Sequence, residues 1–423
     1  MNFYIKSATL IDSANALNGK KVFVLIENGI ISQISETALN VSAACQTIEM
    51  ENLHISNGWF DLRNNLNDPG LEHKEDIATG CRAAAYGGFT SIASTSASNP
   101  VADNKSIVEY ILNKSKNEIV NVFPLGCVSE KREGKNIAEM YDMHLAGAVA
   151  FSDNKKTIED SGLLYRSLLY AKGFNATIMQ FAEDKGIARD GKVNEGEVST
   201  KLGLKGIPNL AEEVMIMRDI FIAEYVDAPI HFMAVSSAKS VDLIREAKKR
   251  GAKVTCDINA HQLFFTDEKL VEFDSNYKVK PPFRTQNDID TLINGLKDGT
   301  IDAICSDHTP QEVEAKVKEF DLADFGIIAS ETAFSSAHSV LKNHLSLNKI
   351  IDLFTANPRK IVGLKTEFKV GYPAEITLFN PNLEYTFTEK DIKSKSRNTP
   401  FIGVKFTGKA VGIINKGQLY LNS

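Results

Sequence analysis

The chain has little cysteine and no paired cysteine motif. Cys45, Cys81, Cys127, Cys256 and Cys305 lie far apart with no C-x-x-C spacing. An odd, dispersed set excludes a disulfide framework and reads as reduced thiols, so the cytoplasm is the expected compartment. No uninterrupted apolar run reaches the ~18 residues of a membrane span. The N-terminus, Met1-Asn2-Phe3-Tyr4-Ile5-Lys6, has no basic segment leading into a long apolar core, so no leader is expected. The net charge is −6 and no basic run occurs, which argues against nucleic acid and anionic membranes as partners. A Walker loop, a G-x-G-x-x-G after a strand and a G-x-S-x-G elbow are all missing. The histidines His54, His73, His144, His231, His261, His308, His338 and His344 include no H-x-H or H-x-x-x-H pair, so no local zinc motif is present.

What is present is enough apolar sequence for a large core: 43% of 423 residues. Val22–Ile26 and Ile30–Ile34 flank Asn28-Gly29, a dipeptide that accepts positive φ at both central turn positions and so predicts a hairpin. Val411–Ile414 and Gln418–Leu421 repeat this around Asn415-Lys416-Gly417. The middle of the chain alternates strands and helices. Glu75 to Tyr86 reads as a helix ending at Gly87-Gly88, followed by a strand at Phe89–Ile92. Ala238, Val241, Ile244 and Ala247 form one apolar helix face, followed by a strand at Lys253–Ile258. Ile301–Cys305 is a further strand, closing on Ser306-Asp307-His308. Such alternation predicts an α/β fold, a (β/α)8 TIM-type barrel with its chemistry at the C-terminal strand ends. The expected domains are a small β-sandwich from residues 1–54 and 366–423, and a barrel over 55–365.

Gly58-Trp59-Phe60-Asp61-Leu62-Arg63-Asn64-Asn65-Leu66-Asn67-Asp68-Pro69-Gly70 resembles the first barrel strand of dihydroorotases, written G-F-I-D-x-H-x-H-x-R-x-P-G. Further pieces occur in order: Lys74-Glu75-Asp76-Ile77, Gly87-Gly88-Phe89-Thr90, Asn99-Pro100, Lys278-Val279-Lys280-Pro281-Pro282-Phe283-Arg284, Asp298-Gly299-Thr300-Ile301-Asp302-Ala303-Ile304 and Ser306-Asp307-His308-Thr309-Pro310. Asn357-Pro358-Arg359 and Gly371-Tyr372-Pro373-Ala374-Glu375 complete the set. The resemblance implies a distorted barrel of the amidohydrolase kind. It also implies opening of a cyclic amide by zinc-activated water, the metal acting on water and as a Lewis acid.

The family's zinc-binding histidines, however, fall on Arg63, Asn65, Phe181 and Ala234. The bridging acid falls on Asn154, or on Asp153 if the first acid of the pair is the ligand. The eighth-strand aspartate, the family's general base and a ligand, is kept as Asp307. Substrate-binding positions fall on Asn67, Ala97, Lys280 and Gln311, and a loop proline on Asp324. Phe181 and Ala234 cannot coordinate a metal, and Arg63 stays charged and opposes a divalent cation. The expectation is that Arg63 replaces the metal's charge, pairing with Asp307 and, if it points inward, with Asp153. No cofactor is expected in that case.

The leading reading is a catalytically silent dihydroorotase homologue with a structural or regulatory role. The family resemblance implies a homodimer and aspartate transcarbamoylase as partners. The alternative is an active dihydroorotase or other cyclic amidohydrolase with an unusual site, and zinc belongs to that alternative. A sensor for a pyrimidine intermediate is a third reading. His231 and His261 are expected as core histidines, with His308 facing away from Asp307. Lys280 reads as a rim lysine ahead of a Schiff-base lysine, Glu183-Asp184 as structural acids, and Cys256 and Cys305 as inert core.

Overall fold

A computed structural model describes residues 2–422. Eight parallel strands run around a barrel: Trp59–Asn64, Phe89–Ser94, Asn121–Gly126, Ala150–Phe151, Ile178–Phe181, Ile230–Met233, Val254–Asn259 and Ala303–Cys305. Below they are the first to eighth barrel strands. The eighth meets the first through a parallel bridge between Asn64 and His308, which brings the ends of the sheet together. The expected α/β barrel is therefore the fold.

The helix predicted at Glu75 starts two residues later, at Ile77–Tyr86. Asp76 is its N-cap, accepting from the Thr79 N–H at 2.9 Å. Glu75 is freed for other partners, described below. The helix stops where the chain must pass close to other backbone. A Cβ on Gly87 would lie 2.0 Å from the Ser330 carbonyl oxygen, and Gly88 has φ +92°. The apolar face on Ala238–Lys249 buries Val241, Ile244 and Ala247, as its spacing predicts.

Strands from both ends of the chain share a second, eight-stranded sheet. Lys21–Glu27 pairs with Ile30–Ser35 around Asn28 (φ 51°) and Gly29 (φ 78°), the predicted hairpin. Lys405–Asn415 pairs with Gln418–Leu421 around Lys416 and Gly417, both at positive φ. Asn415 pairs within the ladder, and its Nδ2 donates to the carbonyls of Thr90 and Ile119, tying the hairpin to the barrel. Trp59 is fully buried where sheet and barrel meet, with its ring centroid 4.4 Å from that of Phe334.

The segment between the long strands Ile376–Thr386 and Lys405–Asn415 leaves this sheet and packs on the barrel. Phe387, Ile392 and Phe401 join Phe265, Phe283 and Ile328 in one buried cluster. Asn398 donates to the carbonyl oxygens of Thr309 and Gly326, just beyond the eighth strand. No helix among the described residues is long and apolar enough to cross a membrane.

Candidate functional site

Alternation along the sixth and seventh strands decides which side chains enter the barrel. Ile230, Phe232, Cys256 and Ile258 pack in the outer core. His231, Thr255, Asp257 and Asn259 therefore take the opposite, inner face. A carboxylate there has almost no water, and the cation it needs comes from the first strand.

Arg63 is 1% exposed and makes a fan of bonds. Its Nη1 and Nη2 each donate to one oxygen of Asp257 at 3.1 Å, its Nε donates to Asp307 Oδ1 at 3.0 Å, and Nη2 also donates to Asn259 Oδ1. This two-point grip on a carboxylate suits the planar guanidinium and cannot be copied by an ammonium. Lys155 Nζ lies 2.8 Å from Asp307 Oδ2, and Asn259 Nδ2 donates to the same oxygen at 3.1 Å. His231 Nε2 is 3.0 Å from Asp257 Oδ2, and its Nδ1 is 2.9 Å from Thr255 Oγ1. Two carboxylates thus face two fixed cations, Arg63 and Lys155.

Burial opposes charge on all of these groups, and the pairing decides the outcome. Burial works to raise the Asp257 pKa, but Arg63 and His231 hold it well below the usual carboxylate range. Asp307 is likewise burdened by burial and brought below its ordinary value by Lys155 and Arg63. Burial works to lower Arg63, and Asp257 and Asp307 more than offset it, so its pKa is raised. For Lys155 burial wins over Asp307, and the ammonium pKa falls. The pairing thus favours the ionised form of both acids.

The expected pairing of Arg63 with Asp307 is present, but the pairing with Asp153 is not. The Asp153 carboxylate turns away, accepting from the Val128 and Ser129 N–H groups at 2.9 and 3.1 Å and from the Ser129 hydroxyl. Three donors on one loop hold it there more firmly than an already doubly paired guanidinium could. Asn154 is the inward residue of the pair: its Nδ2 donates to Asn65 Oδ1 at 3.0 Å. The Asn65 Nδ2 in turn donates to the His308 carbonyl oxygen at 2.8 Å.

Phe181 and Ala234 are buried in the barrel's inner apolar cluster with Phe60, Leu62, Met179 and Met233. Zinc would find two hydrocarbon side chains, two amides bonded to each other and two carboxylates engaged by cations. That set does not fit the metal, which needs His, Cys or carboxylate donors free to bind it. Among the described residues no group of three or more His, Cys, Asp or Glu side chains is arranged to hold a metal ion.

Above the ion pairs lies an open cavity of about 330 Å³ lined by Asn67, Ala97, Lys155, Lys280, Gln311 and Phe325, among others. The substrate positions named from sequence therefore do converge on one space. Lys280 lines this cavity with its Nζ 2.6 Å from Glu183 Oε1, while Asp184 caps a short helix turn through Ile187 N. Lys74 donates to Gln311 Oε1 at 2.7 Å. The Asn67 amide nitrogen has no hydrogen-bond partner among the described residues.

Two histidines differ from expectation. His231 is part of the charged cluster. His261 is fully buried, yet neither ring nitrogen meets hydrogen-bond geometry among the described residues, although the Ser306 backbone is near enough to favour its charged form weakly. Burial lowers its pKa to about 4. His308 behaves as expected, taking partners other than Asp307: its Nε2 is 3.3 Å from Glu75 Oε2, and its Nδ1 accepts from Ala329 N and Ser330 N. Burial pushes the Cys256 and Cys305 thiols well up, so neither is a nucleophile.

Asp257, Asn259 and Lys155 were not singled out from sequence, and His231 was expected only as a core histidine. The available signal was Thr255-x-Asp257-x-Asn259, polar residues at period two inside a strand flanked by apolar ones. Such a face needs a buried counter-charge.

Residues 54–240 match the model of a family described as Dihydro-orotase-like. The chain is 41% identical over 422 residues to a dihydroorotase of Geobacter sp. (strain M21), covering 99% of both chains. It is 41% identical over 419 residues to a dihydroorotase of Acetivibrio thermocellus, covering 98% of both. The chain belongs to the dihydroorotase family. Among solved structures, L-hydantoinase of Arthrobacter aurescens superposes with a TM-score of 0.87 at 22% identity, covering 99% of this chain and 96% of that one. Dihydropyrimidinase of Brevibacillus agri gives a TM-score of 0.84 at 22% identity, over 100% and 95%. These two similarities establish a shared fold. Inside that fold, Arg63, Asp257, Asp307 and Lys155 form an ion-pair core.

Proposed function

We propose that this dihydroorotase-family barrel works without a metal and has a structural or regulatory role in pyrimidine biosynthesis rather than a hydrolytic one. The observation that carries this reading is Arg63, clamped onto Asp257 and Asp307 in the barrel core. Hydrolysis of a ring amide needs an activated water and a polarised carbonyl. By the family resemblance Asp307 is the catalytic group retained, and here its two oxygens are engaged by Arg63 and Lys155. An assembly role would leave the fold and the barrel exterior intact while relaxing the pocket. Aspartate transcarbamoylase is the partner proposed for that role, on family resemblance.

A second reading is an active dihydroorotase or other cyclic amidohydrolase, and the comparisons by themselves favour it over the first. The relatives named dihydroorotase match the chain from end to end. One assay separates the two. Purified chain is mixed with dihydroorotate, or with carbamoyl aspartate in the reverse direction, with and without added zinc. The first reading expects no turnover above background in any condition. Zinc-dependent turnover that disappears in Asp307→Asn would establish the second.

A further inference from the structure

The net charge of the chain is concentrated in two short stretches. Residues 267–274 hold four acids and one base, and residues 312–324 hold five acids and two bases. Together they account for the whole excess of six negative charges, and the rest of the chain is balanced. They follow the seventh and eighth barrel strands, so both lie at the C-terminal end of the barrel. They also pack on each other. Ser275 Oγ donates to the Lys316 carbonyl oxygen at 2.7 Å, and Lys278 Nζ donates to the Phe320 and Asp321 carbonyl oxygens at 2.6 and 3.0 Å. The Phe273 and Phe320 rings lie 6.3 Å apart.

Most of these acids are not neutralised. Glu312 Oε2 is 3.3 Å from His73 Nε2, and Asp324 Oδ2 is 3.8 Å from Lys74 Nζ. Glu268, Glu272, Glu314, Glu319 and Asp321 are exposed and have no salt bridge among the described residues. Lys269 and Lys318 are the exposed bases. Lys316 is buried, with its Nζ on the carbonyl oxygens of Asp324 and Gly326. Nearby Lys201 and Lys205 are taken up by Glu197 and Asp190. The same two stretches also leave apolar side chains in water: Val271 is 60% exposed, Phe273 47%, Val313 61%, Val317 78% and Leu322 66%. Their neighbours Leu270 and Phe320 bury in one shared cluster, so these five are left over after the loops have packed. Exposed apolar surface rimmed by charge marks an interaction site.

We infer that this face docks a partner protein through a basic amphipathic helix, with apolar residues on one side and Lys or Arg beside them. Charge selects the occupant. A second copy of this chain would lay acid against acid across a two-fold axis. Anionic lipid and nucleic acid are repelled for the same reason. A basic helix is steered to the acids, and its apolar side covers Val317 and Leu322 and their neighbours. Asp324 and Phe325 line the cavity above the ion pairs, so a partner seated here covers part of the cavity rim. The inference stands on this face alone and holds for either reading of the catalytic site.

Fluorescence anisotropy of a labelled Leu/Lys peptide of about 14 residues, its leucines at helical spacing, titrated with the full chain tests this. The expected result is saturable binding that weakens about tenfold or more between ~0.05 and ~0.3 M salt. Glu314→Lys/Glu319→Lys and Val317→Ser/Leu322→Ser should each raise the dissociation constant about tenfold or more. Glu246→Lys/Glu384→Lys, which reverses two exposed acids elsewhere, should leave it within about twofold. Circular dichroism melting of each variant should match wild type, since the altered side chains are on the surface. Absence of binding would overturn the inference. So would equal binding of a Ser/Lys peptide of the same charge, which would show that charge alone is read. Equal loss in Glu246→Lys/Glu384→Lys would also overturn it, because binding would then not be local to this face.

Discussion

Arg63→Ala should destabilise the chain by about 3–5 kcal/mol, because it leaves buried carboxylates without their counter-charge. Asp257 loses both guanidinium bonds and keeps only His231, Thr255's neighbour, and the Ala234 N–H at 2.8 Å. Asp307 keeps Lys155 and Asn259. The damage should therefore centre on Asp257, and Asp257→Asn in the Arg63→Ala background should recover part of the loss by removing the stranded charge. Arg63→Lys should rescue poorly, since one ammonium cannot reproduce the paired N–H bonds to Asp257 and also reach Asp307. Chemical denaturation of the four proteins measures this. An Arg63→Ala chain as stable as wild type would mean that the carboxylates are not ionised as described.

The second large effect is on acid stability. Burial lowers the His261 pKa from 6.5 to about 4. The unfolded chain takes up a proton that the folded chain refuses, so the contribution of the neutral ring is complete above pH 6.5. It declines as pH falls towards 4, by about 2 kcal/mol at pH 5 and about 3 kcal/mol at the limit. Asp219 works in the opposite direction: burial raises its pKa to about 6 from 3.8. Its contribution is complete below pH 3.8 and is lost as pH rises through 6. The wild-type acid limb is thus a sum of opposed parts, and the difference between wild type and His261→Leu isolates the histidine. Denaturation at pH 7.5 and pH 5 should show wild type losing about 2 kcal/mol more than His261→Leu. Parallel behaviour of the two would rule out the buried neutral ring.

The barrel was legible in the sequence because its signals are local and periodic. The Asn28-Gly29 turn, the apolar face of Ala238–Lys249 and the glycine pair at Gly87-Gly88 each report a backbone requirement that neighbouring residues state directly. Placing Asn67, Ala97, Lys280 and Gln311 around one cavity needed the family pattern as well, since these residues come from separate loops. The ion-pair core was half legible. Arg63 and Asp307 stood out because the family resemblance puts them at expected ligand positions. Asp257 did not, because a lone acid in an apolar strand does not announce which neighbour balances it, and Arg63 lies 194 residues away. Lys155 was hidden for the same reason, its partner Asp307 being 152 residues distant. Asp153 and Asn154 could not be told apart from sequence, because which of two adjacent side chains turns inward depends on the Ser129 loop that captures the first.

An arginine can stand in for a metal's charge and keep the inward carboxylates ionised, so the barrel stays folded. It cannot lower the pKa of a water or leave an open coordination position for one. Retention of the strands, turns and inner apolar cluster therefore says little about hydrolysis, whereas the partners of Asp257 and Asp307 bear on it directly.

Elemental mass spectrometry of the chain, purified without chelator and again after incubation with zinc followed by desalting, tests the ion-pair core most directly. Near-zero zinc, manganese and iron per chain in both samples is the predicted result. One or two tightly held metal ions per chain would contradict it, since Arg63 could not then remain on Asp257 and Asp307, and the hydrolase reading would take its place.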